Sequence, residues 1–342
     1  MRVAITGATG NVGTRLVERL LAEDAVEQVV AIASRLPDPA SDATGESPRV
    51  VRRRIDLGTE ASAGACEAAF AGVDAVVHLA FLLQPSRDPA LMAAVNVDGT
   101  RRVFEAAAAA GVSTLVHTSS LGAYSEGPQD RAVDESWPTG GLHTSTYSRH
   151  KAACERLLDT FEDEHPAIRT VRIRPVLTLQ AGAGAEQGRY FLGRLLSRLV
   201  PGPGSLPVLP APTRLRLQVV HAEDLADAFA RAVLDPTARG AYNVASDPVL
   251  DPRTLAGALG ARWVPVSAAV LRGVVDLTWR LGLQPTDPGW VDLAMLIPTL
   301  DTTRVRTELG WAPRHGAEDV IREALRGVAD GTGADTPPLR PR

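Results

Sequence analysis

The run Val3-Ala4-Ile5-Thr6, followed at once by Gly7-Ala8-Thr9-Gly10-Asn11-Val12-Gly13, constrains the fold more than any other stretch of the chain. The first four residues read as a buried strand, and the apolar spacing after Gly13 reads as a helix. Glycines at 7, 10 and 13 permit a tight turn and close backbone approach, while the helix start offers free N–H groups and a positive dipole end. A strand, a glycine turn and a helix in that order suit a pyrophosphate, so Gly7, Thr9, Gly10, Asn11, Val12 and Gly13 are candidate dinucleotide contacts. A purely structural turn is the competing reading.

Further short β-branched runs alternate with Ala/Leu-rich helical stretches: Val29–Ala33, Ala75–Leu79, Thr114–His117 and Ile168–Ile173. This alternation implies an α/β fold, a doubly wound parallel sheet with helices on both faces. The expected organisation is a dinucleotide-binding domain over 1–175, with 213–245 returning to it through helix Ala222–Leu234 and strand Ala241–Val244. A smaller, mainly helical substrate lobe is expected from 176–212 and 246–328. Two Pro/Gly-rich loops, Gln180–Gly188 and Pro201–Pro212, mark the change, and the tail 329–342 is expected to be disordered. Helix Ser267–Leu281 places Arg272, Asp276 and Arg280 on one stripe among apolar residues and is expected to be largely buried.

Composition excludes several classes. A net charge of -4 with scattered acids and bases leaves no basic stripe for nucleic acid, and the triplet Arg52–Arg54 reads as a solvated strand end. The 7 histidines form no metal-binding pair, so no metal is expected. Cys66 and Cys154 have no redox or metal spacing and read as buried packing in a reducing cytoplasm. No run is long and apolar enough for a membrane span, and the start lacks the pattern of a secretion signal.

An acid about 20 positions after the glycine motif would bind a ribose 2'-hydroxyl, whereas an arginine accommodates a 2'-phosphate. Here the second strand ends Ile32-Ala33-Ser34-Arg35, with no acid before Asp38. Ser34 and Arg35 therefore favour NADP, with NAD left open and a solvated loop as the alternative role of Arg35.

The chain carries 36 Lys and Arg residues, and one of them alone is lysine: Lys151, in Tyr147-Ser148-Arg149-His150-Lys151. Lysine is a compact ammonium where arginine is a delocalised fork, so the choice points to chemistry. Residues four apart share a helix face, and an ammonium beside a phenol is expected to lower the phenol's pKa. Upstream, His117-Thr118-Ser119-Ser120 delivers hydroxyls to the C-terminal edge of the sheet, the ligand side of such folds.

Taken together, TGATGNVG, Asp56-Leu57, His78-Leu79-Ala80, Asn96-Val97-Asp98-Gly99-Thr100, HTSSLGAY, YSRHK, Arg174-Pro175, Val220-His221-Ala222-Glu223-Asp224, Tyr242-Asn243-Val244 and Leu309-Gly310-Trp311-Ala312-Pro313 resemble the extended short-chain dehydrogenase/reductases, the NAD-dependent epimerase/dehydratase family. The resemblance implies a Rossmann-type sheet with Tyr147 as acid/base, Lys151 tuning it and holding a nicotinamide ribose, and Ser120 orienting the reacting oxygen. It further implies Asp56 and Leu57 beside the adenine, Leu79 and Ala80 near the phosphates, and Pro175 and Val176 flanking the nicotinamide. Departures matter too. Leu121 and Gly122 stand where sugar dehydratases of the family carry an Asp-Glu pair, and Leu177 and Leu217 replace groups that hold a sugar diphosphate. Phe81, Ser120 and Leu177 are then candidate substrate contacts in an apolar pocket. The expected activity is NADP-dependent oxidoreduction of a small, fairly apolar carbonyl or secondary alcohol. A nucleotide-sugar epimerase and a noncatalytic dinucleotide sensor are the alternatives, and a homodimer is left open.

Overall fold

The computed structural model describes residues 1–37, 47–84, 86–193 and 206–340, with 197, 200, 202 and 204. With strands numbered along the chain, seven form one parallel sheet: β1 (Arg2–Thr6), β2 (Gln28–Ala33), β3 (Val50–Arg54), β4 (Ala75–His78), β5 (Thr114–Thr118), β7 (Arg169–Pro175) and β11 (Gly240–Val244). Their order is β11-β7-β5-β4-β1-β2-β3, so the direction of progression reverses between β1 and β4. Three short parallel pairs lie outside this sheet: β6 (Ala132–Val133) with β13 (Thr299–Leu300), β8 (Leu177–Leu179) with β10 (Val219–His221), and β9 (Val208–Ala211) with β12 (Arg262–Pro265).

Strands β1, β2 and β4 are largely apolar because both faces are covered, whereas β7 also carries buried Arg169, Arg172 and Arg174. On one face α1 (Asn11–Leu21) and the helix Ala222–Leu234 supply Leu16, Leu20 and Phe229. On the other, α2 (Ser62–Phe70), α4 (Gly99–Ala109) and α5 (Thr146–Glu164) supply Phe70, Phe104, Leu158 and Phe161. The short helix α3 (Pro89–Ala93) passes through a π turn, Ala94–Asp98, into α4. Such wide turns recur at functional sites. A third cluster brings together Leu179, Val219, Leu255, Leu259, Val320 and Ile321. Cys66 and Cys154 are both free and buried.

Four expectations meet a different structure. Residues Gln180–Gly188 are not a loop: a 3-10 turn, Ala181–Ala183, runs into α6 (Gly184–Phe191). A Cβ on Gly184 would lie 2.1 Å from the Gly327 carbonyl carbon, so this glycine serves close helix packing rather than a bend. Of the second expected loop, Val208–Ala211 is strand β9 and part of the rest lies outside the described residues. The tail does pack: Leu339 is fully buried and Arg189 donates to Pro338 O at 3.0 Å. The helix expected to be buried, observed as Ala268–Arg280, buries no residue, and Val270, Val274 and Leu277 are 62%, 54% and 58% exposed. It is tied to the helix Gly289–Leu296 by Arg272, which clamps Asp292 at 2.7 and 3.0 Å. Its apolar residues encircle the helix, so a one-sided contact leaves many of them outside.

Candidate active site

Because all seven sheet strands are parallel, their C-terminal ends share one edge, and nearly every candidate residue follows such an end. The turn after β1 holds the glycines. Gly7 has φ +74°, and a Cβ there would sit 2.8 Å from Ala80 N, while one on Gly13 would sit 2.2 Å from Gly7 O. A side chain is therefore excluded at both places, which brings the residues after β4 against the turn. A Cβ on Gly10 would meet only Gly7 O, at 3.4 Å, so the surface over the start of α1 is open. No side chain caps that helix and no acid stands in its first turn. Uncapped N–H groups without a competing carboxylate fit the phosphates of a dinucleotide. Asn11 turns away, donating to Thr178 O at 3.0 Å and accepting from Gln180.

Ser34 and Arg35 are exposed after β2, where Thr9 Oγ1 donates to Arg35 O at 3.2 Å. Asp38 lies outside the described residues. Burial pushes the Glu186 carboxyl of α6 up to about 6, with the Tyr190 hydroxyl and the charges of Arg189 and Arg35 pulling the other way. Asp56 is exposed after β3 and caps its own loop, accepting from Gly58 N at 2.9 Å, and Arg102 donates to Leu57 O.

The candidate reacting groups converge from the end of β5 and from α5. Ser145 accepts from Ser148 N and starts α5, which places Tyr147 in its first turn and Lys151 one turn on. Tyr147 OH donates to Ser120 Oγ at 2.8 Å, and the same Oγ accepts from Gly122 N at 3.0 Å. With two donors arriving, the Ser120 hydroxyl proton is free to point at a ligand. The Tyr147 ring lies between Phe81, at 5.5 Å, and Trp290, at 5.0 Å, and Phe191 meets Trp290 edge-on.

Electrostatics here differ from the expectation. The phenol of Tyr147 is not lowered: burial pushes it up to about 12, against the pull of the Ser120 hydrogen bond. The ammonium of Lys151 donates to Thr118 O at 2.9 Å and lies 3.8 Å from the centre of the Phe81 ring. It is thus engaged with a carbonyl and an aromatic face, and burial brings it down to about 8.

Beneath these groups is a buried ionic network. Glu155, one turn beyond Lys151 and fully buried, accepts from Ser119 Oγ, from Arg172 at 2.8 Å and from Arg174 at 2.9 and 3.0 Å. Burial alone would raise its carboxyl, but the two guanidiniums and Ser119 hold it well below the usual range. One carboxylate therefore ties α5 to the residues just before Ser120 and just before Pro175. Pro175 ends β7 and Val176 is buried in the sheet's core, whereas Leu177 begins β8 and packs on the third cluster with Leu215 and Leu217, a different cluster from that of Tyr147.

The model of the NAD dependent epimerase/dehydratase family matches residues 3–245. The chain belongs to that family. Among curated members it is 28% identical over 332 residues to an uncharacterized protein of Mycobacterium tuberculosis (strain H37Rv), covering 96% of this chain but 30% of that one. The chain thus spans less than a third of that longer relative. It is 29% identical to the UDP-glucose 4-epimerase of Mycolicibacterium smegmatis, covering 95% of this chain and 97% of that one. A 3 beta-hydroxysteroid dehydrogenase/Delta 5-->4-isomerase of Mycobacterium tuberculosis is 26% identical, with 95% and 89% covered. Among solved structures, the Thermus thermophilus UDP-glucose 4-epimerase complex with NAD matches with TM-score 0.66 and 24% identity over 96% of this chain and 99% of that one, a likeness of fold.

Asn96, in the NVDGT segment, had no role assigned from the sequence. Its side chain accepts from Leu82 N at 2.7 Å and donates to Leu82 O at 2.9 Å, pinning the loop that holds Phe81. Trp290 and Phe191 were not foreseen at all. Neither belongs to a motif; with aromatic residues only 4% of the chain, their scarcity was the one available signal. Among the described residues, no helix is long and apolar enough to cross a membrane.

Proposed function

We propose that the chain is an NADP-dependent oxidoreductase of a small, fairly apolar carbonyl or secondary alcohol. The observation that carries this reading is the Tyr147–Ser120 hydrogen bond at 2.8 Å, walled by Phe81 and Trp290. A phenol with its pKa near 12 keeps its proton at neutral pH, so Tyr147 is suited to donate it to a carbonyl oxygen as charge develops there. Ser120, held by Gly122 N, offers a second hydrogen bond to the same oxygen. Lys151, charged below about pH 8, holds a nearby cation for ribose hydroxyls and for restoring the phenol's proton. The glycine turn and the uncapped start of α1 hold the dinucleotide phosphates. A nicotinamide dinucleotide, when bound, supplies or takes the hydride. The aromatic walls exclude water and favour an apolar ligand.

Sugar dehydration fits poorly, because a Cβ at Gly122 would lie 2.6 Å from the Tyr147 ring and leaves no room for an elimination acid there. For a sugar diphosphate, Leu177 and Leu217 face one another's cluster instead of offering cations, and Arg216 is spent on Thr213 O and Leu215 O. The relative that is a UDP-glucose 4-epimerase nonetheless keeps epimerisation as the second reading. The test offers NADPH with ketones of graded apolarity, and separately UDP-glucose, following nicotinamide absorbance and sugar products. Net oxidation of NADPH by the apolar ketones is expected. Formation of the 4-epimer without net absorbance change overturns the reading in favour of an epimerase.

A further inference from the structure

We infer that Arg54 acts with Arg35 as the anion site that selects a dinucleotide bearing a ribose 2'-phosphate, an inference that rests on the NADP reading above. The triplet Arg52-Arg53-Arg54, which looks in the sequence like a solvated strand end, closes β3, and the sheet register sets Arg54 directly beside Ala33, the last residue of β2. Arg54 is exposed, yet its guanidinium has a fixed anchor: Nε donates to Ser34 O at 3.2 Å. That bond lays the plane of the fork against the turn carrying Arg35 and leaves both Nη groups for a ligand. The same turn is tied to the glycine loop through Thr9 Oγ1 and Arg35 O. Arg54 beside the last residue of β2 and Arg35 two residues beyond it thus both stand at the strand end where a dinucleotide running from the glycine turn puts its adenosine ribose.

The chemistry favours a phosphate over a hydroxyl. A ribose 2'-hydroxyl would want an acceptor, and this edge presents two cations: the charge of Arg35 reaches the Glu186 carboxyl of α6, which burial keeps hard to ionise, and neither guanidinium forms a salt bridge among the described residues. A phosphate dianion accepts charge-assisted bonds from planar forks, which arginine makes better than lysine. Arg53 supplies an internal control. Its side chain alternates to the other face of the strand and donates to Arg52 O at 3.1 Å, away from Ser34.

The test measures NADPH and NADH by fluorescence titration, and adenosine 2',5'-bisphosphate and 5'-AMP by calorimetry, for the wild type, Arg54→Ala, Arg54→Lys and Arg53→Ala. Arg54→Ala is expected to weaken NADPH and the bisphosphate about tenfold, the scale of one bond to a charged group, and to leave NADH and 5'-AMP unchanged. Arg54→Lys should recover part of the loss, Arg53→Ala should change nothing, and the Arg54 effect should shrink as salt is raised. If the wild type prefers NADPH and Arg54→Ala keeps that ratio, or weakens both dinucleotides equally, the inference about Arg54 is wrong and the cofactor reading survives. If the wild type binds NADPH and NADH alike, the cofactor reading falls, and the Arg54 site with it.

Discussion

Helix α5 and the helix Ala268–Arg280 reverse what their compositions suggest. The first reads Thr-Tyr-Ser-Arg-His-Lys and ends in acids, yet it buries seven residues, Lys151 and Glu155 among them. The second is mostly Val, Leu and Ala, yet it buries none. The difference lies in partners. Neighbouring strands meet α5 with Arg172, Arg174, Ser119 and Thr118 O, so its charges are satisfied without water. Helix Ala268–Arg280 meets the helix Gly289–Leu296 through Arg272 and Asp292 and the Ser86–Arg87 segment through Trp279, and these contacts leave none of its residues buried. Burial follows from what the fold sets opposite a side chain, and polarity is a guide only where that is a layer of apolar strands.

The largest effect expected from this contrast is at Tyr147. If the buried phenol is the proton donor, Tyr147→Phe should lower turnover of a confirmed ketone by roughly 100- to 10,000-fold while dinucleotide binding stays intact. Its hydroxyl makes one hydrogen bond, to Ser120, so thermal unfolding should move little. A variant that turns over at near wild-type rate removes Tyr147 from the chemistry, and leaves α5 as a buried but merely structural helix.

The same contrast explains what could be read in advance. Most of the sheet was legible because strands such as β1, β2 and β4 are short apolar, β-branched runs, a local pattern, whereas the edge strand β3, ending in exposed Arg53 and Arg54, read only as a solvated strand end. Also legible was the placing of Tyr147 and Lys151 one turn apart on a single helix, which needs only a spacing of four. The third partner, Ser120, came from a different strand and entered through a family motif. The Tyr147 pKa was misjudged because the direction of the Lys151 ammonium depends on Thr118 O and Phe81, contributed by two other segments. Trp290 comes from more than a hundred residues further on, and no spacing rule reaches it. Gly184 was taken for a loop residue because a glycine used for close packing looks, in a sequence, like one used for a turn.

Next in size is Glu155. Removing one member of a buried ionic network strands the others, so Glu155→Gln should cost about 3–5 kcal/mol in urea unfolding. The sign with pH is fixed by the depressed carboxyl. In the folded state Glu155 stays ionised below its ordinary range, so the unfolded chain binds the extra proton first, and the stability it contributes is full at neutral pH and fades on acidification. The gap between wild type and variant should therefore close as pH falls below that range. A gap of less than 1 kcal/mol at neutral pH, or one that does not change with pH, would mean that Arg172 and Arg174 find other partners, and that α5 is held mainly by its apolar face.

The smallest effect should come from the helix that looks most like core. Leu277 is 58% exposed, so Leu277→Ser removes little buried area and leaves no cavity; the expected cost is about 0.5 kcal/mol, chiefly the lower helix propensity of serine. Val274→Ser, at 54% exposure, should cost still less, because valine and serine have similar helix propensities. Run in the same urea series as Glu155→Gln, these variants put the two helices on one scale, and the polar position in α5 should outweigh the leucine several-fold. A loss of 2 kcal/mol or more at Leu277 would be the cost of a buried leucine, which a single chain folded in this way cannot supply. Repeating the unfolding at several protein concentrations decides the cause of such a loss. A concentration-dependent midpoint would place the cover in a second molecule, and a constant one would place it within the chain and overturn the exposed helix itself.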